Sequence, residues 1–322
     1  MDANGTHGTH GTGGTGAFPG GGGPRGHVAV GVDGSSLSEA ALGEAVGQAR
    51  RRAVPLEIVH GRPWARPEGA GRGSGASSRE GARALVEAAA ARAGELAPGL
   101  EVLAGVVDVD AGEALVEASR RAALTVVGSR GLGGFTGLLL GSVSLRVAAH
   151  AAGPLLVVRG GAGPGGVGRR RGTVVVGVES GADADAVALA FEEAAARGAG
   201  LTAVHAWVYH RLSPPGEPLV PSGPPADDMG RIGRAEAVEA ERVVDPFRER
   251  YPGVRVEVRT VVGSAPHVLV EASREADLLV LAAHRGRGRL AMRLGPVVHA
   301  LIHHARCPVL VVPVPGRGGR AP

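Results

Sequence analysis

The chain has 322 residues, of which 44% are hydrophobic, 20% charged and only 2% aromatic, with a formal net charge of +4. That length allows two domains of ordinary size, each with a core of its own, while so few aromatic platforms count against a single-strand nucleic-acid binder. A lone cysteine, Cys307, excludes an intrachain disulfide; with no leader pattern and no apolar run near the ~20 residues of a membrane span, a cytoplasmic protein without membrane association is expected.

Residues 1–26 are mostly Gly, Thr, His and Pro and read as a disordered tail, with His7 and His10 solvated within it. From His27 the run HVAVGVDGSS predicts a strand ending at a carboxylate, Asp33, then a helix over Glu39 to Arg52 capped by Ser35, Ser36 or Ser38. A strand at Leu56 to His60, a loose Gly/Pro/Arg connection over 61–80 and a helix at Arg83 to Leu96 follow. The spacing then predicts a strand at Leu100 to Val109, a helix at Gly112 to Ala122, a strand at Leu124 to Val127, a helix from about Ser142 and a last strand at Leu155 to Val158. Such alternation argues for an α/β fold: an open, mostly parallel five-stranded sheet with helices on both faces and ligands at the carboxyl ends of the strands.

The same order then repeats. TVVVGVE at 173–179 echoes VAVGVD, LTAVHA at 201–206 echoes LEIVHG, LVEASR occurs at 115 and 269, and GPLLVV at 153 returns as CPVLVV at 307. The duplication divides the chain into a tail (1–26), a first domain (27–159), a Gly/Arg-rich linker (160–172), a second domain (173–314) and a short tail (315–322). A second loose insertion covers Leu212 to Gly230, before a helix from Ile232 to about Arg250. The apolar last strands of the repeats, Leu155 to Val158 and Val309 to Val312, are edges expected to pair with one another.

The most informative stretch is GSRGLGGFTGLLLGSVS, Gly128 to Ser144: Gly128, two residues, Gly131, nine residues, then Gly141 and Ser142. Glycines at a strand end let backbone amides approach a ligand, and a helix starting beside them turns unpaired N–H groups the same way, an arrangement suited to phosphate. A Walker A loop is excluded because no lysine is present, and Gly286-x-Gly288-x-x-Ala291 has no later acid to hold a ribose.

With Asp33 at an earlier strand end, this spacing resembles the nucleotide-binding signature of the ATP-binding universal stress proteins, over most of residues 27–159. The resemblance implies two such domains in tandem, Rossmann-type sheets of the adenine-nucleotide alpha-hydrolase-like kind, and ATP as the cofactor, with Mg an open accompaniment. It implies Asp33 near adenine or ribose, Gly61 as a backbone contact to adenine, and Gly128, Gly131 and Gly141 lining the phosphates. Ser142 and Ser144 would add hydroxyls, and Val143 an amide. It also implies pairing of the two halves within one chain, with a homodimer and an unknown protein partner left open.

In the second half Ala283 replaces the first glycine, eight residues separate Gly286 from Gly295, Pro296 stands for Ser142, Val298 for Ser144 and Glu179 for Asp33. A domain poor in nucleotide is expected there, because proline starts a helix but donates no N–H. No base, nucleophile and orienting group form a pattern, so the expectation is a regulator and not an enzyme; slow ATP hydrolysis or autophosphorylation is the alternative the resemblance leaves. A further alternative is a binding module whose Arg285, Arg287, Arg289, Arg293, Arg306, Arg317 and Arg320 recruit an acidic partner or RNA. His299 and His303, four apart on an expected helix, are a metal candidate with no third ligand in sight.

Overall fold

Short valine- and leucine-rich runs become strands, and the alanine-rich segments between them become helices. The computed structural model describes residues 26–61, 79–131, 140–159, 171–208, 226–284 and 294–314. In the first half the strands are β1 (Val28–Gly31), β2 (Leu56–Gly61), β3 (Val102–Val107), β4 (Leu124–Gly128) and β5 (Leu155–Val158). Between them lie α1 (Ser36–Arg52), α2 (Arg79–Leu96), α3 (Ala111–Ala118) and α4 (Ser142–His150). The second half repeats this as β6 (Thr173–Gly177), α5 (Ala184–Arg197), β7 (Gly200–Trp207), α6 (Ala226–Arg250), β8 (Val256–Val262), α7 (Ala265–Ala272), β9 (Leu278–His284), α8 (Pro296–His304) and β10 (Val309–Val314).

Capping explains where several helices start. Ser35 accepts the Ser38 N–H at 3.2 Å, so α1 begins one residue later, three before the expected Glu39. Asp110 caps α3 by accepting from Gly112 and Glu113, which starts that helix at Ala111. The long helix α6 begins at Ala226, six residues before the expected Ile232, and so takes in the end of what reads as a loose insertion. Most of the two connections at 62–78 and 209–225, and the linker 160–170, lie outside the described residues, as do 1–25 and 315–322.

All ten strands form one sheet in the order β3-β2-β1-β4-β5-β10-β9-β6-β7-β8. Every pairing is parallel except the central one, β5 with β10, where Leu156 sits opposite Leu310. The last strands of the two repeats therefore meet at a seam, and the strands of one half run opposite to those of the other. Two apolar layers cover the sheet, and each runs unbroken through both halves. One joins Ala41, Leu42 and Val46 of α1 to Phe191 of α5 and Val244 of α6. The other joins Leu115 of α3 and Val147 of α4 to Leu269 of α7 and Leu301 of α8.

A polar network fastens α1 to α5 across the seam. Glu193, 2% exposed, accepts from Gln48 at 2.9 Å, Arg52 at 2.7 Å and Arg197 at 3.0 Å, while Arg197 also reaches Glu44 at 2.7 Å. Burial pushes the Glu193 carboxyl upward, but the charges of Arg197 and Arg52 with the bonds from Gln48 and Arg197 outweigh it, so it stays below its ordinary value. A carboxylate depressed in the folded state stabilises above its unfolded pKa and loses that contribution as pH falls through the folded one. Urea unfolding should accordingly show stability dropping on acidification through the carboxylate range. Glu193→Gln should flatten part of that dependence and cost about 3 kcal/mol near neutrality, since it leaves Arg52 and Arg197 without their countercharge.

Candidate functional site

In the first half the order of strands reverses between β1 and β4: β2 and β3 lie to one side, β5 to the other. The crevice beyond the carboxyl ends of β1 and β4 is where open α/β sheets place ligands. Asp33 leaves β1 there. Its Oδ1 accepts the Ser35 N–H at 3.0 Å, and its own N–H faces the Ser38 hydroxyl at 3.3 Å. From β4 the chain passes through Gly128, Ser129 and Arg130 to Gly131, which lies directly against Asp33: a Cβ built on Gly131 would stand 2.1 Å from Asp33 Oδ2. Carboxylate and glycine loop thus occupy one place although about a hundred residues separate them.

The loop closes on the start of α4. Gly141 donates its N–H to the Ser129 carbonyl at 2.8 Å and is the N-cap residue of the helix, with no side chain bonded to the first-turn amides. Ser142, Val143 and Ser144 therefore present helix-start N–H groups uncapped, with Ser142 exposed. Ser144 differs from its expected part as a hydroxyl donor to phosphate. It is buried, and its Oγ–H donates to the Gly128 carbonyl at 2.6 Å, tying strand end to helix start.

The glycines serve different needs. A Cβ on Gly128 would meet the Leu37 carbonyl oxygen at 2.8 Å, so this glycine lets β4 pass under the first turn of α1. On Gly61 it would come within 2.3 Å of the Ala111 backbone. Gly61 closes β2, opposite Val107 of β3, and is required by packing. Gly141 is under no such pressure, its nearest neighbour being the Arg130 backbone at 3.4 Å. Residues 132–139 of the expected loop lie outside the described residues.

Sequence reasoning missed His60. Its Nδ1 lies 2.8 Å from the Val32 carbonyl and, since a carbonyl only accepts, carries the proton that joins β2 to the end of β1. His205 repeats the bond to Val178 at 2.8 Å; LEIVHG and LTAVHA, compared letter by letter, held the signal. Two further residues separate the halves. Asp183 is 2% exposed and takes the part of Ser38, accepting the Glu179 and Ser180 N–H groups at 2.6 and 2.9 Å, and its other oxygen meets His284 at 2.7 Å. By strand register His284 stands in β9 where Arg130 stands after β4, and His205 also faces Glu236 of α6 at 2.9 Å. In the second crevice, side chains of the protein bind one another across the strand ends. There α8 starts at Pro296, after Gly295, which supplies no side-chain cap.

The His299 and His303 rings are 4.4 Å apart on α8, and no group of three or more metal-ligating side chains occurs among the described residues. Cys307 is buried and its thiol pushed up to about 12 by desolvation, which makes it inert. Arg285 to Arg293, Arg317 and Arg320 lie outside the described residues. No helix among the described residues is long and apolar enough to cross a membrane.

Comparison with known proteins agrees over both halves of the chain. A family model described as the universal stress protein family matches twice, over residues 24–159 and 170–313. A universal stress protein of Mycobacterium tuberculosis is 35% identical over 302 residues, 88% of this chain and 95% of the relative. One of Mycolicibacterium smegmatis is 33% identical over 296 residues, 88% and 96% of the two. Among solved structures, a universal stress protein of Archaeoglobus fulgidus aligns over 90% of this chain and 97% of its own with a TM-score of 0.61 at 19% identity, a likeness of fold.

The glycine geometry makes a test independent of any ligand. Gly61→Ala and Gly128→Ala should each lower stability by roughly 1–3 kcal/mol, the usual range for overpacking, because the new methyl meets backbone. Gly141→Ala should leave the thermal midpoint within about a degree of wild type, and differential scanning calorimetry of the three variants decides it.

Proposed function

The chain belongs to the universal stress protein family, and from that premise we propose that it is an ATP-binding regulatory protein whose nucleotide sits in the first half alone. The observation that carries this reading is the difference between the two strand-end crevices. In the first, Asp33 and Gly131 meet beside a helix start whose amides no side chain caps. In the second, Asp183 with His284 and Glu236 with His205 are already paired, and Pro296 has removed one amide.

The first crevice suits the parts of a nucleotide. Amides at the start of α4 and the approachable backbone around Gly131 favour phosphate oxygens, with the helix dipole adding attraction. A carboxylate can accept from ribose hydroxyls or the adenine amino group, and Asp33 is placed at the mouth of β1 for that. The reading is of a switch worked by occupancy, not of turnover: the groups gathered here bind and orient, and of the two serines expected to offer hydroxyls, Ser144 has its proton committed to Gly128. Labelled phosphate release from ATP should stay at background, and release that Ser142→Ala abolishes would make the protein an ATPase.

Titration calorimetry with ATP tests the assignment of the site. One nucleotide should bind per chain, and Ser142→Pro should abolish the heat while circular dichroism stays unchanged. Losing even two phosphate hydrogen bonds at roughly 1.5–3 kcal/mol each weakens a site by orders of magnitude. A ratio near two, or full binding in the variant, would move the site elsewhere.

A further inference from the structure

The ends of β4 and β5 are joined where the Ser129 N–H donates to the Val158 carbonyl at 2.7 Å, which makes Arg130 and Arg159 the next residue out on each strand. Arg130 is exposed, directly before Gly131. Arg159 is half-buried and reaches across the seam to the end of α8, where its guanidinium donates to the carbonyls of Ile302 and of His303, the latter at 2.7 Å. Terminal carbonyls of a helix carry partial negative charge and suit a cation. Just past that helix end stands the exposed Arg306, from the second half.

These three arginines share one corner. Burial, and then the like charges of Arg130 and Arg306, hold the Arg159 guanidinium below its ordinary value, with no carboxylate among the charges acting on it. His303 beside them is likewise held below the usual histidine value, by burial first and then by His299, His304 and Arg159. Among the described residues no salt bridge engages Arg130, Arg159 or Arg306, whereas the arginines of α1 and α5 are bound to carboxylates. A cluster of unpaired cations of one sign repels itself, and a multiply charged anion relieves it.

Among the described residues the pseudo-symmetric corner has no such cluster. Ala152 donates its N–H to Ser119 Oγ at 2.9 Å and Arg306 donates to Ser273 Oγ at 2.9 Å, so Ala152 is the counterpart of Arg306. With Leu156 opposite Leu310, Pro313 is the counterpart of Arg159. Both cations are absent from the corner beside the second crevice, where side chains already bind one another. Among the described residues the charge gathers beside the crevice of Asp33 and Gly131.

We infer that Arg306 of the second half joins Arg130 and Arg159 of the first in holding the outer phosphates of a nucleotide, so that the site prefers a triphosphate to a monophosphate and is completed by both halves. This rests on the nucleotide reading above. A monophosphate ends at the amides of α4 and the Gly131 loop; a triphosphate has the length and charge to reach past Arg130. Guanidinium groups hold such oxygens through charge-assisted bonds.

Arg306→Ala is the variant of choice, because Arg306 is exposed and its backbone bond to Ser273 survives, whereas Arg159→Ala would uncap α8. Calorimetry on the full chain, with ATP titrated directly and AMP read by displacement of ATP, should show ATP affinity falling roughly ten-fold and AMP affinity changing by less than roughly two-fold, with the thermal midpoint unchanged. Arg306→Lys should fall between the two. Unchanged ATP affinity, or equal losses for ATP and AMP, overturns the inference and leaves the site assignment standing. Wild-type protein that binds neither nucleotide overturns that assignment and this inference with it.

Discussion

One antiparallel pairing, β5 with β10, sets the relation of everything else in the molecule. Each half taken alone would end its sheet in a strand of four or more apolar residues, with backbone groups unpaired along a flat edge. Joining the two edges satisfies both and merges the cores into two continuous layers. Because the pairing is antiparallel, the strand ends of one half lie beside the strand beginnings of the other. That inversion carries the last turn of α8 to the mouth of the first crevice, where Arg159 binds it.

The network of Glu193, Gln48, Arg52, Arg197 and Glu44 reinforces the same seam from the helical side. A buried carboxylate shared by two guanidinium groups gains less stability than its count of bonds suggests, because desolvation offsets much of the attraction. Its geometry is specific, however, since removing either sign leaves the other uncompensated. The apolar layers would tolerate some sliding of α1 along α5. The charges do not.

Duplication followed by divergence accounts for the difference between the crevices. Both keep the histidine that ties the second strand to the end of the first, His60 to Val32 and His205 to Val178, so that bond belongs to the fold. What changed is the polar lining. Where the first half has Ser38 and Arg130, the second has Asp183 and His284, which reach each other at 2.7 Å. In the first half Arg130 is exposed at the strand end; in the second a carboxylate and an imidazole close on one another there.

The linear sequence was enough for the class of fold, the duplication and the place of the glycine loop, because hydrophobic runs, their spacing and glycine's small size are local properties. Strand β5 lies where the pattern puts it, and α4 starts at Ser142 as the loop spacing implies. Helix starts were misplaced by three to six residues at α1 and α6, since caps and tertiary contacts, not periodicity, decide which turn is the first. Glycine's several uses could not be told apart in one dimension: that the Ala111 and Leu37 backbones press on Gly61 and Gly128 is visible only in the fold. Nor could the commitment of the Ser144 hydroxyl, the closing of Asp183 on His284, or the meeting of Arg130, Arg159 and Arg306 be read from spacing. Each joins residues from 16 to about 175 positions apart, and only the antiparallel seam and the reversal of strand order bring such residues within reach of one another.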